Sequence, residues 1–329
     1  MGRRAFIIPV VLAFGVLSSG SGGSRSEGSR NPFGVILPAP LARSPRGVEV
    51  ARTLGVAYIR PSSIFLERWN GTCVECDLAR GAGLKLVLTV RNQGPGATAP
   101  PRDLAAYRSR LGQVLDRTRP ALLVVENEEN SGLFYSGTPE QYGAELAAAC
   151  EVAHQKGILC TNGGLVSTLV ALLVHDHYLQ TGQAAKAQSF ASRAFPAEQR
   201  RRLASGAARE QIRKGQALLR TYRAAGADLV NFHWYVADTE ALEEAVTFLR
   251  SQTGLPALTN EVGQWDDDPG WTTTVMSKIV ALELPVAVWF GLDGPKARGL
   301  VNADGSLRPT GEAFARFCRQ NFPARPDTR

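Results

Sequence analysis

Short apolar runs alternate with longer amphipathic segments along the chain from Phe33 onward. Most of these runs are continuous instead of alternating with polar residues, which is typical of strands that are buried on both faces. Strands of this kind separated by helices predict a parallel sheet with crossover connections. We predict eight strands: Phe33–Leu37, Val56–Arg60, Leu84–Val90, Ala121–Val125, Gly157–Thr161, Asp228–Trp234, Pro256–Glu261 and Val286–Phe290.

Helical segments precede most of the strands, and several open with good start signals such as Thr138-Pro139-Glu140. One long gap, between the fifth and sixth strands, holds a further helical stretch near Val166–Phe195, which we expect to form a lid or wall beside the active face. The pattern predicts an α/β fold, a (β/α)8 TIM barrel with a helical insertion between strands 5 and 6. The clear helices are Pro101–Arg117, Thr138–Lys156, Pro196–Ala225, Thr239–Thr253 and Trp271–Leu282.

The first residues have the pattern of an export signal. Arg3 and Arg4 precede an apolar run, Ala5–Leu17, that is too short to span a bilayer, and small residues follow it. The two arginines also resemble a twin-arginine signal. We predict a signal peptide at 1–20, a Gly/Ser-rich linker at 21–32, the barrel at 33–322 and a tail at 323–329. The expected location is periplasmic or extracellular.

Composition and charge exclude only a few classes of binding partner. The chain has 329 residues, 44% of them hydrophobic and 20% charged, with a formal net charge of +7. Its most basic stretch has helical spacing with acidic residues interspersed, which indicates a solvated helix face and not a nucleic-acid patch. We expect a monomer that binds neither nucleic acid nor, after signal removal, a membrane. The stretch comprises Arg200, Arg201, Arg202, Arg209, Arg213 and Lys214.

The cysteines and histidines give no metal site. Five cysteines at scattered spacings fit poorly with a disulfide framework. Cys73 and Cys76 form a CxxC pair, for which a local disulfide or two free thiols are favoured over a redox pair or half a zinc site. Cys150 and Cys160 could also pair. The His-x-His pair in HDHY points to different faces of a helix, so we expect no metal there and no cofactor elsewhere.

Polar residues that could carry chemistry stand at the ends of two predicted strands. The fourth strand ends in VVENEENSG and the seventh in ALTNEVGQW. In a (β/α)8 barrel the carboxyl ends of the strands form the active face. Two carboxylates facing each other across the barrel mouth are what hydrolysis of a glycosidic bond requires, because one must be protonated and the other ionised.

These motifs resemble the clan A glycoside hydrolases, a superfamily of retaining (β/α)8 enzymes. Their Asn-Glu pair at the end of strand four matches Asn127-Glu128, and their glutamate at the end of strand seven matches Glu261. The resemblance implies that Glu128 is the acid/base, that Glu261 is the nucleophile, and that Asn127 holds the sugar's 2-hydroxyl.

Other positions extend the resemblance over the chain from about Phe33. Arg60 ends strand two where the clan carries an arginine near the nucleophile, and such a cation would keep Glu261 ionised. His233 and Tyr235 match a His-x-Tyr pattern in which the tyrosine bonds the nucleophile. Trp289 would be the platform under the bound sugar. The segment Gly299–Phe314 resembles the closing segment of several such enzymes.

The strand-four motif departs from the clan at two positions. Glu129 stands where proline is frequent and Glu126 where an aromatic residue is frequent. A neighbouring carboxylate favours a protonated carboxyl group, which suits an acid, but it could equally alter specificity or abolish activity. We expect Glu126 and Glu129 to form salt bridges or to contact substrate. Trp265 and Trp271, after strand seven, could line sugar subsites.

The sequence therefore predicts a retaining glycosidase that cleaves β-glycosidic bonds in an oligo- or polysaccharide. The alternative is a non-catalytic carbohydrate-binding barrel that keeps the cleft without the chemistry. A different hydrolase or lyase is less favoured, because the chain has no serine elbow and no glycine-rich phosphate loop.

Overall fold

The computed structural model describes residues 30–94, 96–291 and 299–323. The predicted signal peptide, most of the predicted linker and all but the first residue of the predicted tail lie outside these ranges. Among the described residues, no helix is long and apolar enough to cross a membrane.

Eight parallel strands form a nearly closed barrel in the order β6-β5-β4-β2-β1-β9-β8-β7. Two isolated parallel bridges, Thr161 to Leu229 and Leu165 to Phe232, link the chain at β6 with the chain at β7 across the remaining gap. The short β3 lies beside β4, outside the ring order. The strands are β1 Phe33–Ile36, β2 Tyr58–Ile59, β3 Ile64–Phe65, β4 Lys85–Arg91, β5 Leu122–Val125, β6 Leu159–Asn162, β7 Val230–Trp234, β8 Ala257–Val262 and β9 Ala287–Phe290.

This architecture confirms the predicted TIM barrel, and each predicted strand is present with bounds shifted by at most two residues. The strands could be predicted because continuous apolar runs are buried completely only where the sheet is covered on both faces. One side of the strands fills the barrel interior with a small apolar cluster that includes Val87, Val124, Leu258 and Val288. The other side packs against the helices in a much larger core.

Helices surround the barrel, and four of them (α6 to α9) lie between β6 and β7. The predicted helix Pro196–Ala225 is divided in two, because Ser205 starts a new helix by accepting a hydrogen bond from the Ala208 backbone N–H. The helices are α1 Ala39–Ala42, α2 Pro45–Leu54, α3 Val74–Gly81, α4 Leu104–Thr118, α5 Pro139–His154, α6 Ser167–Gln180, α7 Ala184–Ala194, α8 Ala197–Arg200, α9 Gly206–Ala224, α10 Thr239–Thr253, α11 Pro269–Ala281 and α12 Pro309–Asn321, with a 3-10 turn at Leu66–Arg68.

Two disulfides are present. Cys73 is bonded to Cys76 at the start of α3, and Cys150 of α5 is bonded to Cys160 of β6. Cys318 is free and buried. The CxxC pair is therefore a local disulfide in this structure, and its sulfurs are not arranged as half of a zinc site.

Candidate active site

The chain bends sharply after β5 and turns Glu128 into the barrel mouth. Glu126 and Glu128 both have positive φ, 64° and 44°, in the left-handed region that costs most residues about 1–2 kcal/mol. Strain of this kind persists only where the surroundings hold it, and it concentrates at functional sites. The bend buries Glu126 completely, whereas the Glu128 side chain stays 18% exposed.

A β-bulge brings Glu261 to the same mouth. Three residue steps in β8, from Leu258 to Glu261, face only two steps in β7, from Asn231 to His233. In a regular strand Leu258 and Asn260 would point inward and Glu261 would point outward. The extra residue reverses that alternation, which is a known use of bulges beside active sites.

The two carboxylates predicted to be catalytic converge. One oxygen of Glu128, one oxygen of Glu261 and a ring nitrogen of His233 all lie within 4.8 Å of one another. Glu128 thus meets two residues that lie more than a hundred positions further along the chain, at the carboxyl ends of β5, β7 and β8.

Arg60, which follows β2, connects the two halves of the site. Its guanidinium donates to Glu261 Oε2 at 2.8 Å, to Asn127 Oδ1 at 2.8 Å and to Thr89 Oγ1 at 3.1 Å. Arg60 is only 7% exposed, so its charge acts in a poorly screened environment. With its oxygen occupied by Arg60, the Asn127 amide has its N–H group left to donate to a ligand.

Glu261 is held in its ionised form. Burial alone would raise the pKa of Glu261, but the nearby His233 and Arg60, together with the hydrogen bond from Tyr235, outweigh burial and keep the pKa below its ordinary value. Tyr235 donates its hydroxyl to Glu261 Oε1 at 2.9 Å. Each oxygen of Glu261 therefore has a donor that fixes its orientation.

His233 lies between the carboxylates and is 1% exposed. Its Nδ1 is 2.9 Å from Glu128 Oε1 and 3.7 Å from Glu261 Oε1. Burial lowers the pKa of His233, but Glu261 and Glu128 outweigh that effect, so the pKa is raised. The contact to Glu128 needs one proton, which can sit on either atom.

A ladder of three asparagine side chains supports His233 from below. Asn260 Oδ1 accepts from Asn231 Nδ2 at 2.9 Å and lies 3.0 Å from His233 Nε2, so Nε2 carries a hydrogen. The Asn231 backbone N–H donates to Asn162 Oδ1 at 2.7 Å, the Asn231 side chain donates to the Asn162 backbone carbonyl at 3.0 Å, and Asn162 Nδ2 donates to Glu129 at 2.8 Å. This ladder was not predicted, although Asn162 stands with two glycines at the end of a predicted strand.

The two departures from the clan pattern lie in buried networks. Glu126 accepts from the Asn92 backbone N–H at 2.6 Å and from Thr98 at 2.5 Å, and it forms an ion pair with Arg91 at 3.5 Å. Glu129 is fully buried and accepts from the Tyr222 hydroxyl. Burial raises the pKa of both carboxyl groups. Neither side chain is placed to contact substrate, and the salt-bridge expectation fits Glu126.

The prediction that Trp289 forms a sugar platform is wrong. Trp289 is fully buried on the helix-facing side of β9, with its ring 5.7 Å from that of Phe314. The next residue, Phe290, points the other way and packs 6.1 Å from Tyr235. Trp265, after β8, is 47% exposed and packs 5.3 Å from Tyr235. Phe290 and Trp265, and not Trp289, are thus the aromatic residues that pack beside Tyr235.

Glu128, His233 and Glu261 could in principle ligate one metal ion, because each offers a donor atom within 4.8 Å of the others. The surrounding charges do not favour that use. Arg60 and Tyr235 already donate to both oxygens of Glu261, and a metal ion would have to approach beside the Arg60 cation. The arrangement instead suits one ionised carboxylate and one carboxyl group that exchanges a proton.

Neither a protein-family model nor a curated protein sequence matches this chain. Solved structures do. A glucosidase from Croceicoccus marinus superposes with a TM-score of 0.60 at 16% identity, covering 88% of this chain and 67% of its own. A GH128 exo-β-1,3-glucanase from Aureobasidium namibiae gives 0.55 at 11% identity, covering 86% and 94%. A GH128 endo-β-1,3-glucanase from Pseudomonas viridiflava gives 0.51 at 15% identity, covering 87% and 96%. The chain therefore has the barrel fold of known glycoside hydrolases, as its resemblance to clan A implied.

Proposed function

We propose that this protein is a retaining glycoside hydrolase that cleaves β-glycosidic bonds by double displacement. The observation that carries the proposal is the separation of the two carboxylates. Retaining enzymes hold their carboxyl groups about 5–5.5 Å apart and inverting enzymes roughly 6.5–9.5 Å apart. Oxygens of Glu128 and Glu261 lie within 4.8 Å of each other, which agrees with the short separation of retaining enzymes and not with the longer one of inverting enzymes.

In the first step Glu261 attacks the anomeric carbon, and the bond to the leaving oxygen breaks. Glu128 gives its proton to that oxygen, which leaves as an alcohol. In the second step Glu128 takes a proton from water, the water oxygen bonds to the anomeric carbon, and Glu261 is released. Arg60 and Tyr235 suit this role of Glu261, because they stabilise its charge before attack and after release.

His233 supports the role of Glu128 as the group that changes protonation. The Nδ1–Oε1 contact of 2.9 Å places a proton donor or acceptor directly beside the Glu128 carboxyl group. Asn127, with its oxygen held by Arg60, is oriented to donate to a sugar hydroxyl. As substrate class we propose a β-glucan or a shorter β-glucoside, since glucosidases and β-1,3-glucanases share this fold.

Two variants test the mechanism on aryl β-glucosides and β-1,3-glucan oligosaccharides. We expect Glu261→Gln to lower kcat by about 10⁴-fold or more, because the nucleophile is lost. We expect Glu128→Gln to lose activity mainly on substrates with poor leaving groups, and azide to restore turnover as a glycosyl azide of retained configuration. Glu312→Gln, at an exposed carboxylate of α12, is the control.

The outcomes separate the alternatives. Full activity of Glu261→Gln would remove Glu261 from the mechanism, and an inverted product would exclude double displacement. Saturable oligosaccharide binding without any turnover by the unmodified protein would favour the alternative, a non-catalytic carbohydrate-binding barrel.

We also propose that the protein is exported. The support is the sequence of residues 1–20 together with two disulfides, since disulfides persist mainly in oxidising compartments. Cell fractionation of the full-length chain, and of a variant with Arg3 and Arg4 replaced by lysine, tests both the export and the twin-arginine route.

A further inference from the structure

One buried glutamine holds the loop between β8 and α11 in place through hydrogen bonds to the loop backbone. Gln264 is 1% exposed, and its amide nitrogen donates to the backbone carbonyls of Asp266 at 2.9 Å and Asp268 at 3.0 Å. Its amide oxygen accepts from the Thr272 hydroxyl at 2.7 Å. A loop fixed by so many buried bonds presents its exposed side chains in one conformation.

The residue that this loop presents is Trp265. Its indole N–H donates to the Tyr235 backbone carbonyl, and its ring lies 5.3 Å from the Tyr235 ring. Yet Trp265 remains 47% exposed, which makes it an unusual surface residue. The Tyr235 hydroxyl bonds Glu261, so the exposed indole stands one side chain away from the proposed nucleophile.

We infer that Trp265 is the stacking platform of the substrate cleft, and that it accepts a neutral hexopyranose with equatorial hydroxyl groups. This inference rests on the proposed function and deepens it. A sugar of that configuration directs its axial C–H bonds to the two ring faces, and such an apolar face packs on an indole. A platform that is already ordered before binding loses little entropy when the sugar arrives.

Charge on the same loop disfavours acidic sugars. Asp266, Asp267 and Asp268 follow Trp265 directly, and all three are exposed. Arg308 pairs with Asp267 at 2.6 Å, which offsets part of this negative charge. A uronic acid stacked on Trp265 would add a further negative charge beside this acidic stretch, whereas a neutral sugar avoids the repulsion. The overall positive charge of the chain therefore does not define the sugar at this subsite.

Binding to a catalytically silenced protein tests the platform. In the Glu261→Gln background, calorimetric titration with a neutral β-1,3-linked glucotriose is compared with an oligouronate of the same length. We expect only the glucotriose to bind, and Trp265→Ala to weaken its Kd roughly tenfold, which corresponds to about 1.4 kcal/mol. Trp265→Phe keeps an aromatic face and should stay within about threefold of the parent.

Leu133→Ala is the matched control, because Leu133 is 78% exposed on the loop after β5 and is also apolar. Unchanged binding in Trp265→Ala, tighter binding of the oligouronate, or no binding of the glucotriose would overturn the inference. Trp265-dependent binding without turnover by the unmodified protein would keep the platform and contradict the proposed hydrolase. Turnover with a KM that Trp265→Ala leaves unchanged would support the proposed hydrolase and contradict the platform.

Discussion

Arg60 is the arginine that pairs directly with Glu261 in the candidate site. It is the nearest cation to Glu261, at 2.8 Å, and it contributes to holding the pKa of Glu261 below its ordinary value. Because hydrolysis requires ionised Glu261, the acid limb of kcat/KM should lie below the usual carboxyl range. Arg60→Met removes the cation, so the pKa of Glu261 should rise and the acid limb should move to higher pH.

The measurement is kcat/KM against pH for an aryl glucoside. Arg68→Met, at an exposed arginine of the neighbouring loop, is the control. An acid limb that stays in place in Arg60→Met would show that Glu261 titration does not limit activity. A lower kcat with an unshifted acid limb would mean that Arg60 has a purely structural role.

At the residue scale, most of the candidate site follows from position at a strand end. Glu128, Glu261 and Arg60 could be chosen from sequence because parallel strands deliver their carboxyl ends to one face. The prediction for Trp289 was wrong because successive side chains along a strand point to opposite faces of the sheet. Val286 and Val288 fill the barrel interior, so Phe290 points towards the mouth and Trp289 points to the helices. The alternation of side chains is implicit in the sequence. Because both faces of this strand are apolar, however, polarity does not show which residues point into the barrel.

At the element scale, what sequence could not predict is where strands become irregular. The bulge in β8 adds one residue between Leu258 and Glu261. The pattern of apolar residues along the strand does not indicate it. Regular alternation would have put Glu261 outside the barrel. Bulges depend on the pairing partner as well as on the strand itself, so they appear only when both strands are placed together.

Two glycines at opposite ends of β6 allow a test of how closely the strands hold His233. Gly164 has a φ of 102°, and a Cβ there would lie 2.4 Å from His233 Nε2. We expect Gly164→Ala to displace His233 and lower kcat by about 100-fold, since a displacement of about 1 Å can cost that much.

Gly157→Ala is the control for a positive backbone φ, because Gly157 has a φ of 68° and a Cβ there meets nothing within 4 Å. It should lower the free energy of unfolding by about 1–2 kcal/mol and leave kcat unchanged. Equal kcat values for the two variants would mean that β6 does not constrain His233.

At the scale of the whole molecule, a second acidic pair lies beneath the loop after β5. Glu145 of α5 is fully buried, accepts from the Tyr135 hydroxyl at 3.0 Å, and lies close enough to Glu126 for the two carboxyl groups to influence each other. Burial first, and then the charge of Glu126, raises the pKa of Glu145 well above its ordinary value. Glu145 Oε1 receives no hydrogen bond among the described residues, so this oxygen is free to carry a proton.

This pair makes folding dependent on pH in a defined direction. A carboxyl group whose pKa is raised in the folded state binds its proton more tightly there than in the unfolded chain. Its contribution is therefore complete below the ordinary carboxyl pKa and is lost as pH rises towards the folded-state value, by at most about 1.4 kcal/mol per pH unit. Glu145→Gln keeps an acceptor for Tyr135 and offers Glu126 an N–H donor that does not titrate.

We therefore expect Glu145→Gln and the unmodified protein to have similar free energies of unfolding near pH 4 and to diverge as pH rises, with the variant more stable at pH 8. Urea unfolding at a series of pH values measures this difference. Glu151→Gln, on the same helix but 52% exposed and paired with Arg108 at the surface, should follow the unmodified protein at every pH. Parallel pH curves for Glu145→Gln and the unmodified protein would mean that no proton is shared with Glu126, and that Arg91 alone balances a fully ionised pair.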